Sequence, residues 1–158
     1  MHTILAMPIE EVKFMAIALE EARAAEMRGE VPVGACIVDE AGTVVARAGN
    51  RTIELSDPTA HAEMLAIRIA SDITGNYRLG GLTMFSTLEP CVMCAGAIVN
   101  SRLPRIVFAA RDERYGAVRT LYNLCDDPQL NHRLRVEEGM MAEESRQILK
   151  NFFKSRRS

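Results

Sequence analysis

The sequence contains no apolar run long enough to cross a membrane, and its first residues do not form a secretory signal. The stretch Met1–Met7 is too short for such a signal and lacks a basic start. We therefore expect a cytoplasmic protein with no membrane partner. Cysteine is also scarce, since four residues in 158 fit a reducing compartment better than a disulfide scaffold.

Internal repeats, low-complexity segments and linkers are absent as well, so we expect no second domain. A chain of 158 residues with 48% hydrophobic content has the size of one globular domain with a buried core, and we assign residues 1–158 to it. The formal charge of -2 argues against indiscriminate nucleic-acid binding. A local basic patch can nevertheless bind RNA on a mildly acidic protein.

Two short stretches carry a metal-binding pattern: 57–63 reads Asp-Pro-Thr-Ala-His-Ala-Glu, and 88–94 reads Leu-Glu-Pro-Cys-Val-Met-Cys. His61, Cys91 and Cys94 supply three ligands, which is the usual number for catalytic zinc, whereas structural zinc normally takes four. Two cysteines separated by two residues at a helix start can reach one metal, and the amide dipoles there favour thiolates. A structural zinc ribbon would need a second pair of Cys or His ligands at such spacing, and the sequence has none. The pattern therefore predicts catalytic zinc.

Glu63 follows His61 by two residues, a spacing that in the middle of a helix directs two side chains to opposite sides. At the first turn the end of the helix axis is open, so both side chains can reach one site. Asp57, Pro58 and Thr59 are typical of a helix start, through capping oxygens and a preset φ. Glu63 is then placed to take a proton from a zinc-activated water and pass it to a leaving group.

The remaining cysteines and histidines have less specific interpretations. A Cys-x-x-Cys pair alone also fits a redox centre, and a lone histidine is more often structural. The combination of His-Ala-Glu, Pro-Cys-x-x-Cys and a strand before the second motif favours zinc. We interpret Cys36 and Cys125 as small buried apolar residues, and His2 and His132 as structural or surface residues.

Hydrophobic periodicity and turn residues predict alternating strands and helices. Helices are predicted over Pro8–Arg28, Ala60–Ile73, Pro90–Asn100 and Met140–Phe153, with a short one around Val118–Leu124. Strands are predicted over Val33–Val38, Thr43–Ala48, Leu82–Ser86, Arg105–Ala109 and Leu134–Glu137. Buried helix faces are predicted to include Val12, Met15, Ala16, Leu19, Ala22, Leu65, Ala66, Ile69, Ala95, Ala97, Ile98 and Val99. This order implies an α/β fold, a three-layer α/β/α sandwich whose mixed sheet has about five strands. The two metal-bearing helix starts should meet beyond the strand ends.

Around these motifs the chain resembles the bacterial tRNA-specific adenosine deaminases, a family within the cytidine deaminase superfamily. The His-x-Glu and Pro-Cys-x-x-Cys patterns are the signature of the zinc deaminases. The resemblance extends along almost the whole chain and is carried by residues 30–35, 50–51, 57–63, 76–79, 87–96, 110–112, 131–133 and 152–153. Residues 116–120 depart from it, because they read Gly-Ala-Val-Arg-Thr where the family usually has Gly-Ala-Ala-Gly-Ser.

The resemblance implies one zinc per chain, a homodimer, and hydrolytic conversion of adenosine to inosine at the wobble position of a tRNA anticodon stem-loop. It also assigns residues to the substrate. Asn50 would hydrogen-bond the flipped nucleoside, whose pocket would be lined by Glu30, Val31 and Val33. The base edge would be held by Ala60 and by the backbone of Leu88 and Glu89. The ribose and backbone of the RNA would be approached by Arg111 and Asp112. Without the resemblance, Val31 and Val33 fit a core equally well, and Asp112 fits an ion pair with a local arginine.

Two other functions remain open from the sequence: deamination of a free nucleobase or nucleoside (guanine, cytosine or cytidine), or a non-catalytic zinc-stabilised RNA-binding module. Glu63 speaks against the second, because a carboxylate that binds no metal has no structural reason to be there. Basic residues gather in two segments, which fit either an RNA-binding surface or solvated ends of the chain's helices: Arg102, Arg105, Arg111, Arg114 and Arg119, and Lys150, Lys154, Arg156 and Arg157. Of Phe152 and Phe153, one fits the core and the other a support for a base or ribose.

Overall fold

In the computed structural model, which describes residues 9–157, a five-stranded sheet separates two layers of helices. The strands are β1 (Gly34–Val38), β2 (Val44–Gly49), β3 (Thr83–Leu88), β4 (Arg105–Ala110) and β5 (Arg135–Glu138). Their order across the sheet is β2-β1-β3-β4-β5. β1 is antiparallel to β2 and β3, whereas β3, β4 and β5 are parallel, so the predicted mixed sheet is confirmed.

The helices are α1 (Ile9–Met27), α2 (Ala62–Thr74), α3 (Val92–Asn100) and α4 (Ala142–Arg157). α1 packs across β1, β2 and β3 with α4 beside it, while α2 packs on β1 and β2 and contacts α3. Alternate strand residues belong to two separate cores: Ile37 and Met84 face the α2 and α3 side, and Cys36 and Phe85 face α1. The predicted three-layer α/β/α sandwich is therefore confirmed.

Helix α1 lies directly on the first strand because Gly34 has no side chain. A Cβ at this position would lie 2.6 Å from the backbone nitrogen of Ala22 and would overlap the carbonyl oxygen of Ala18. Val12 was predicted on the buried face, but it is exposed. The face that meets the sheet is occupied one residue earlier by Glu11, whose carboxylate pairs with Arg105 at 2.6 Å.

Helix α2 contacts the sheet through small side chains, Ala62, Ala66 and Ala70, all of them buried. These small side chains allow the helix to pack closely against the sheet. Ile69 was predicted on the buried face of the helix, and that prediction is wrong, because its side chain is 38% exposed. The helix ends at Thr74, one residue past the predicted limit of Ile73, where Gly75 adopts the left-handed conformation, φ 69°, that a side chain disfavours.

Between β4 and β5 the chain is mostly irregular. No helix forms at 118–124, where one was predicted, and only a single 3₁₀ turn occurs at Leu124–Asp126. At the C-terminal end, α4 continues past the predicted limit of Phe153 to Arg157, with Lys154 and Arg156 in a last turn that favours cations. No helix within residues 9–157 is long and apolar enough to cross a membrane. Pro8, His2 and Met1–Met7, which entered the sequence predictions, lie outside the described residues.

Candidate active site

The candidate site lies at one end of the sheet, where irregular segments meet. Val33 precedes β1, Asn50 follows β2, Leu88 ends β3 and Arg111 follows β4. The sheet's pairing brings these strand ends together, since Ala35 of β1 is opposite Ser86 of β3. Helices α2 and α3 both begin at this end, so their N-terminal amide groups are directed toward it.

His61 and Cys91 occupy equivalent positions, each immediately before the first residue of a helix. Both have extended backbones, with φ and ψ of -76° and 154° for His61 and -77° and -179° for Cys91. A residue at this position usually caps the helix with its side chain, but neither of these does. Their side chains instead converge between the two helices, together with Cys94 from the first turn of α3.

The three converging side chains have the geometry of a zinc site. The Nδ1 atom of His61 lies 3.7 Å from Sγ of Cys91 and 3.5 Å from Sγ of Cys94. Tetrahedral zinc with ordinary bond lengths would separate a nitrogen and a sulfur ligand by about 3.6 Å. The donor set and its spacing therefore fit zinc, with three protein ligands.

The site also favours a thiolate. Hydrogen bonds from Cys94 and His61 lower the pKa of the Cys91 thiol to about 4, against its partial burial. The same contact with Cys91, together with burial, raises the pKa of Cys94, and the hydrogen bond with Cys91 raises the pKa of His61. The thiolate is the form of cysteine that binds metals, so Cys91 is prepared for that role.

Glu63 lies in the first turn of α2 and is only 3% exposed. It does not belong to the group of converging ligand atoms, which consists of His61, Cys91 and Cys94. Burial raises the pKa of Glu63 to about 7. A carboxyl group with such a pKa can hold or release a proton near neutral pH, as a general acid and base must.

Asn50 determines where α2 begins. Its Oδ1 accepts a hydrogen bond from the Ala62 N–H at 2.8 Å, so it caps the helix from twelve residues away in sequence. Asp57, predicted as part of this helix start, instead accepts hydrogen bonds from the N–H and hydroxyl of Thr59, at 2.8 and 2.7 Å. The helix therefore begins later than predicted, and the amide nitrogen of Asn50 remains available to a ligand.

A cavity of about 740 Å³ adjoins Glu63 and two of the candidate metal ligands, His61 and Cys91. Most residues that the resemblance assigned to the substrate line this cavity: Val31, Val33, Asn50, Leu88, Glu89, Arg111 and Asp112. The sequence analysis did not assign six other wall residues to the pocket: Thr52, Glu113, Arg114, Tyr115, Leu149 and Phe153. It named Arg114 only within a basic segment, and Phe153 only as one of two candidates to support a base or ribose. An aromatic residue next to an arginine is the signal that could have identified Tyr115.

Glu30 and Ala60 are not among the residues that line the cavity. The Glu30 carboxylate is fully buried and accepts hydrogen bonds from the Thr52 hydroxyl and from the N–H groups of Ile53 and Glu54. Burial raises the pKa of Glu30, but the hydrogen bonds lower it by more, so its pKa is below the ordinary value. Glu30 therefore supports the loop that carries Thr52 into the cavity wall.

Glu89 holds the opposite wall in a similar way. Its buried carboxylate accepts hydrogen bonds from the N–H groups of Asp112, Val118, Arg119 and Thr120, at 2.6 to 3.1 Å, and from the Thr120 hydroxyl at 2.5 Å. Three of these donor residues, Val118, Arg119 and Thr120, belong to the segment 116–120 that departs from the family pattern, whereas Asp112 lies before it. Val118 is buried in the core and Arg119 reaches the carbonyl of Val136, so neither enlarged side chain enters the cavity.

The arginines that are close together in sequence do not form one basic patch. Arg105 lies between Glu11 and Glu137, Arg111 pairs with Glu138 at 2.8 Å, and Arg119 approaches the same Glu138 at 3.8 Å. At the C-terminus, Arg156 stacks over the buried ring of Phe152 at 4.6 Å. His132 is structural, since its Nε2 lies 2.8 Å from the carbonyl oxygen of Leu103. Cys36 and Cys125 are free and buried, as predicted.

Comparison with known proteins identifies the same region. The cytidine and deoxycytidylate deaminase zinc-binding region matches residues 8–110. The tRNA-specific adenosine deaminase of Haemophilus influenzae is 48% identical over 92% of this chain and 84% of its own length, and that of Aquifex aeolicus is 46% identical over 92% and 95%. A structure from work on A-to-I editing by tRNA:A34 deaminases at the wobble position of transfer RNA superimposes with a TM-score of 0.84. It is 46% identical and covers 87% of this chain and 99% of its own.

Proposed function

The chain belongs to the cytidine and deoxycytidylate deaminase family, and we propose that it converts adenosine to inosine by hydrolysis at the wobble position of a tRNA anticodon loop. The observation that carries the proposal is the buried Glu63 beside His61, Cys91 and Cys94, at the inner end of a cavity with room for a nucleoside. The relatives named tRNA-specific adenosine deaminase support the choice of substrate.

In this function His61, Cys91 and Cys94 hold one zinc ion, which supplies Lewis-acid activation of water when bound. Glu63 takes one proton from the attacking water and delivers it to the purine ring nitrogen N1, while the water oxygen bonds to C6. It then takes the second proton from the new C6 hydroxyl and delivers it to the amine, so that the C6–N bond breaks, ammonia leaves and the C6 carbonyl of inosine forms. The amide of Asn50 faces the cavity and hydrogen-bonds the nucleoside, while Val31 and Val33 provide an apolar wall for the base. The target base must leave its stack, which costs little in a loop that is already single-stranded.

The proposal includes roles for Leu88, Glu89, Arg111 and Asp112 on the substrate side, since all four line the cavity. Glu89 acts through the backbone of Leu88 and through the segment it holds, because its carboxylate is already occupied by five donors. Glu30 and Ala60 act from behind the wall rather than at the substrate.

We also propose a homodimer in the cytoplasm. Exposed apolar side chains on α2, on α3 and after β4 support an interface on the side of the sheet that α2 and α3 cover: Ile69, Ile73, Val92, Leu121 and Tyr122. The cytoplasm is supported by the four free cysteines, which fit a reducing compartment.

The mass of the protein in solution tests the dimer. Light scattering should give twice the chain mass of 17.5 kDa, and Ile73→Asp should lower it toward one chain. A single-chain mass for the unaltered protein would refute the dimer.

The decisive experiment compares turnover of an anticodon stem-loop that carries adenosine at the wobble position with turnover of free adenosine, guanine, cytosine and cytidine. We expect inosine formation in the stem-loop, because the cavity opens onto a surface that can hold flanking nucleotides. A matched stem-loop with guanosine at the wobble position serves as the control and should not react. Deamination of a free base or nucleoside without action on the stem-loop would reject the tRNA assignment and leave the zinc chemistry intact.

Removing the residues after Phe153 tests the role of the C-terminal cations. If Lys154, Arg156 and Arg157 hold phosphates, the truncated protein should act less efficiently on the stem-loop, and the salt dependence of its action should be weaker. Turnover of any small nucleobase that fits the cavity should hardly change. Equal action of both proteins across a salt series would mean that these cations are only a solvated helix end.

A further inference from the structure

We propose that Arg114 and Tyr115 form a stacking subsite at the mouth of the cavity, which binds the nucleotide next to the one whose base enters the cavity. This inference rests on the proposed function, because it requires a substrate longer than one nucleoside. It adds to that function a binding site for a flanking base.

The residues that line the cavity differ in burial in a way that defines its two ends. Asn50 and Glu63 are buried, and they adjoin the metal ligands. Arg114, Tyr115 and Phe153 line the same cavity but are exposed to solvent. The base that reacts must therefore lie at the inner end, and the chain that continues from it must leave past the exposed side chains.

Tyr115 presents an exposed aromatic ring at this exit. Its side chain is 59% exposed, and the guanidinium carbon of Arg114 lies 5.4 Å from its ring centre. Arg114 forms no ion pair with any residue of the described chain, in contrast to Arg111, which is paired with Glu138. An exposed aromatic ring with a neighbouring cation can stack a base of any sequence and attract a phosphate at the same time.

The backbone that carries this pair is fixed before any ligand binds. The side chain of Asp112 accepts hydrogen bonds from the N–H groups of Arg114 and Tyr115, at 3.0 and 3.1 Å. The N–H of Gly116 donates to the Asp112 carbonyl at 2.9 Å, and the N–H of Asp112 donates to Glu89 at 3.1 Å. Because the backbone is already ordered, only the side-chain torsions of Tyr115 lose freedom when a base binds, which favours stacking.

The combination of an arginine and an aromatic ring at the mouth fits a nucleotide, which carries both a phosphate and a base, better than an apolar peptide. Arg114 contributes an unpaired positive charge, while the positive charge of Arg111 is offset by Glu138. Two acidic residues line this part of the cavity: Glu113, which is exposed, and Asp112, whose half-buried carboxylate accepts hydrogen bonds from the N–H groups of Arg114 and Tyr115. A base on Tyr115 with its phosphate toward Arg114 satisfies both features of the pair.

The test uses Tyr115→Ala and Tyr115→Phe in the full-length, zinc-loaded protein. Tyr77→Ala is the matched control, because Tyr77 is also exposed and also has an arginine, Arg78, 5.7 Å from its ring, but it does not line the cavity. Each protein acts on an anticodon stem-loop and on two further loops in which the nucleotide before or after the target adenosine is abasic. The mass of each protein is measured by light scattering.

With the intact stem-loop, Tyr115→Ala should lower kcat/KM about tenfold, chiefly through KM, while Tyr115→Phe and Tyr77→Ala should stay within about twofold of the parent. The parent should act less efficiently on one of the two abasic loops than on the intact loop. On that abasic loop, the parent and Tyr115→Ala should have the same kcat/KM. This convergence would not follow from a general structural defect.

Three results would overturn the subsite. The first is a Tyr115→Ala variant as active as the parent on the intact loop, and the second is the same loss on all three loops. The third is a change in oligomeric mass, which would assign Tyr115 to a contact between copies of the chain. If the parent itself does not act on the stem-loop, the proposed function fails and the subsite fails with it. If the parent acts and only the variant prediction fails, the proposed function stands.

Discussion

Replacing Glu89 by Gln should destabilise the wall of the cavity without removing any residue that touches a metal or a base. Three N–H groups, from Val118, Arg119 and Thr120, donate to one oxygen of this carboxylate. The Asp112 N–H and the Thr120 hydroxyl donate to the other oxygen. A Gln side chain can keep its oxygen toward the three amides, but its NH₂ group then faces the Asp112 N–H.

The expected cost follows from these contacts. Hydrogen bonds to a charged acceptor contribute about 1.5–3 kcal/mol each and neutral ones about 1, so three weakened bonds cost at least about 2 kcal/mol. The opposed donors at Asp112 leave one buried N–H unsatisfied, which costs about 1–3 kcal/mol more. A neutral amide costs less to bury than a carboxylate, and this difference offsets part of the lost stability. We expect a net loss of about 3 kcal/mol in the free energy of unfolding.

Urea unfolding of the zinc-bound protein measures this loss, with Glu40→Gln as the control, because Glu40 is exposed and forms no ion pair among the described residues. Amide exchange should become faster at residues 112–120 in the Glu89 variant and remain unchanged in β1. A Glu89→Gln protein as stable as the control, with the parent's exchange rates at 112–120, would refute the reasoning.

The stability difference between the two proteins should also depend on pH, and its sign can be derived. Burial raises the pKa of Glu89, but the hydrogen bonds from Thr120 and from the backbone outweigh it and hold the pKa below its ordinary value of 4.5. The stabilisation by its charge is therefore fully present above the unfolded-state pKa and is lost as the pH falls through the lower folded-state pKa. Below that point a protonated Glu89 resembles Gln, so the difference between parent and variant should shrink on acidification.

Three further predictions concern the metal, the proton carrier and the fit of the loop. Metal analysis of the purified protein should find about one zinc per chain, and His61→Ala should reduce that content. Glu63→Gln should retain the zinc and lose at least about a hundredfold in turnover of the stem-loop, whereas coincident loss of zinc would make Glu63 a ligand. Gly116→Ala should destabilise the protein by about 1–3 kcal/mol in urea unfolding, because its Cβ would overlap the Glu89 carboxylate, while Gly96→Ala, which meets nothing within 4 Å, should not.

The convergence of Cys91 and Cys94 could be predicted from the sequence because their spacing fixes it locally. Two cysteines three positions apart at a helix start share one side of that helix whatever the rest of the fold does. The exact start of α2 could not be predicted in this way, because it depends on Asn50, which reaches the Ala62 N–H only after β2 has been placed beside the helix. Asp57 has the same capping chemistry and a nearer position, but its oxygen is used within its own turn by Thr59.

The exposure of Ile69 shows a second limit of the same kind. The periodicity of α2 permits more than one apolar face, and the one that meets the sheet is selected by the alanines at 62, 66 and 70, since small side chains allow the helix to approach most closely. The outward face then carries isoleucine, including Ile73 at the end of the helix. A choice between two apolar faces depends on the partner surface, which a single helix sequence does not contain.

The walls of the cavity depend on a different use of buried charge. Glu30 and Glu89 are both buried, although neither forms an ion pair with any residue of the described chain. Their burial is tolerated because backbone N–H groups replace the water that each carboxylate loses. Each segment that supplies those N–H groups forms no helix or strand of its own, so its amides would otherwise need water. A buried carboxylate thus fixes an irregular loop as firmly as regular structure would, and leaves its side chains free to face the substrate. The donors to Glu30 and Glu89 lie 22 to 31 residues away in the sequence, so these partners become visible only in the fold.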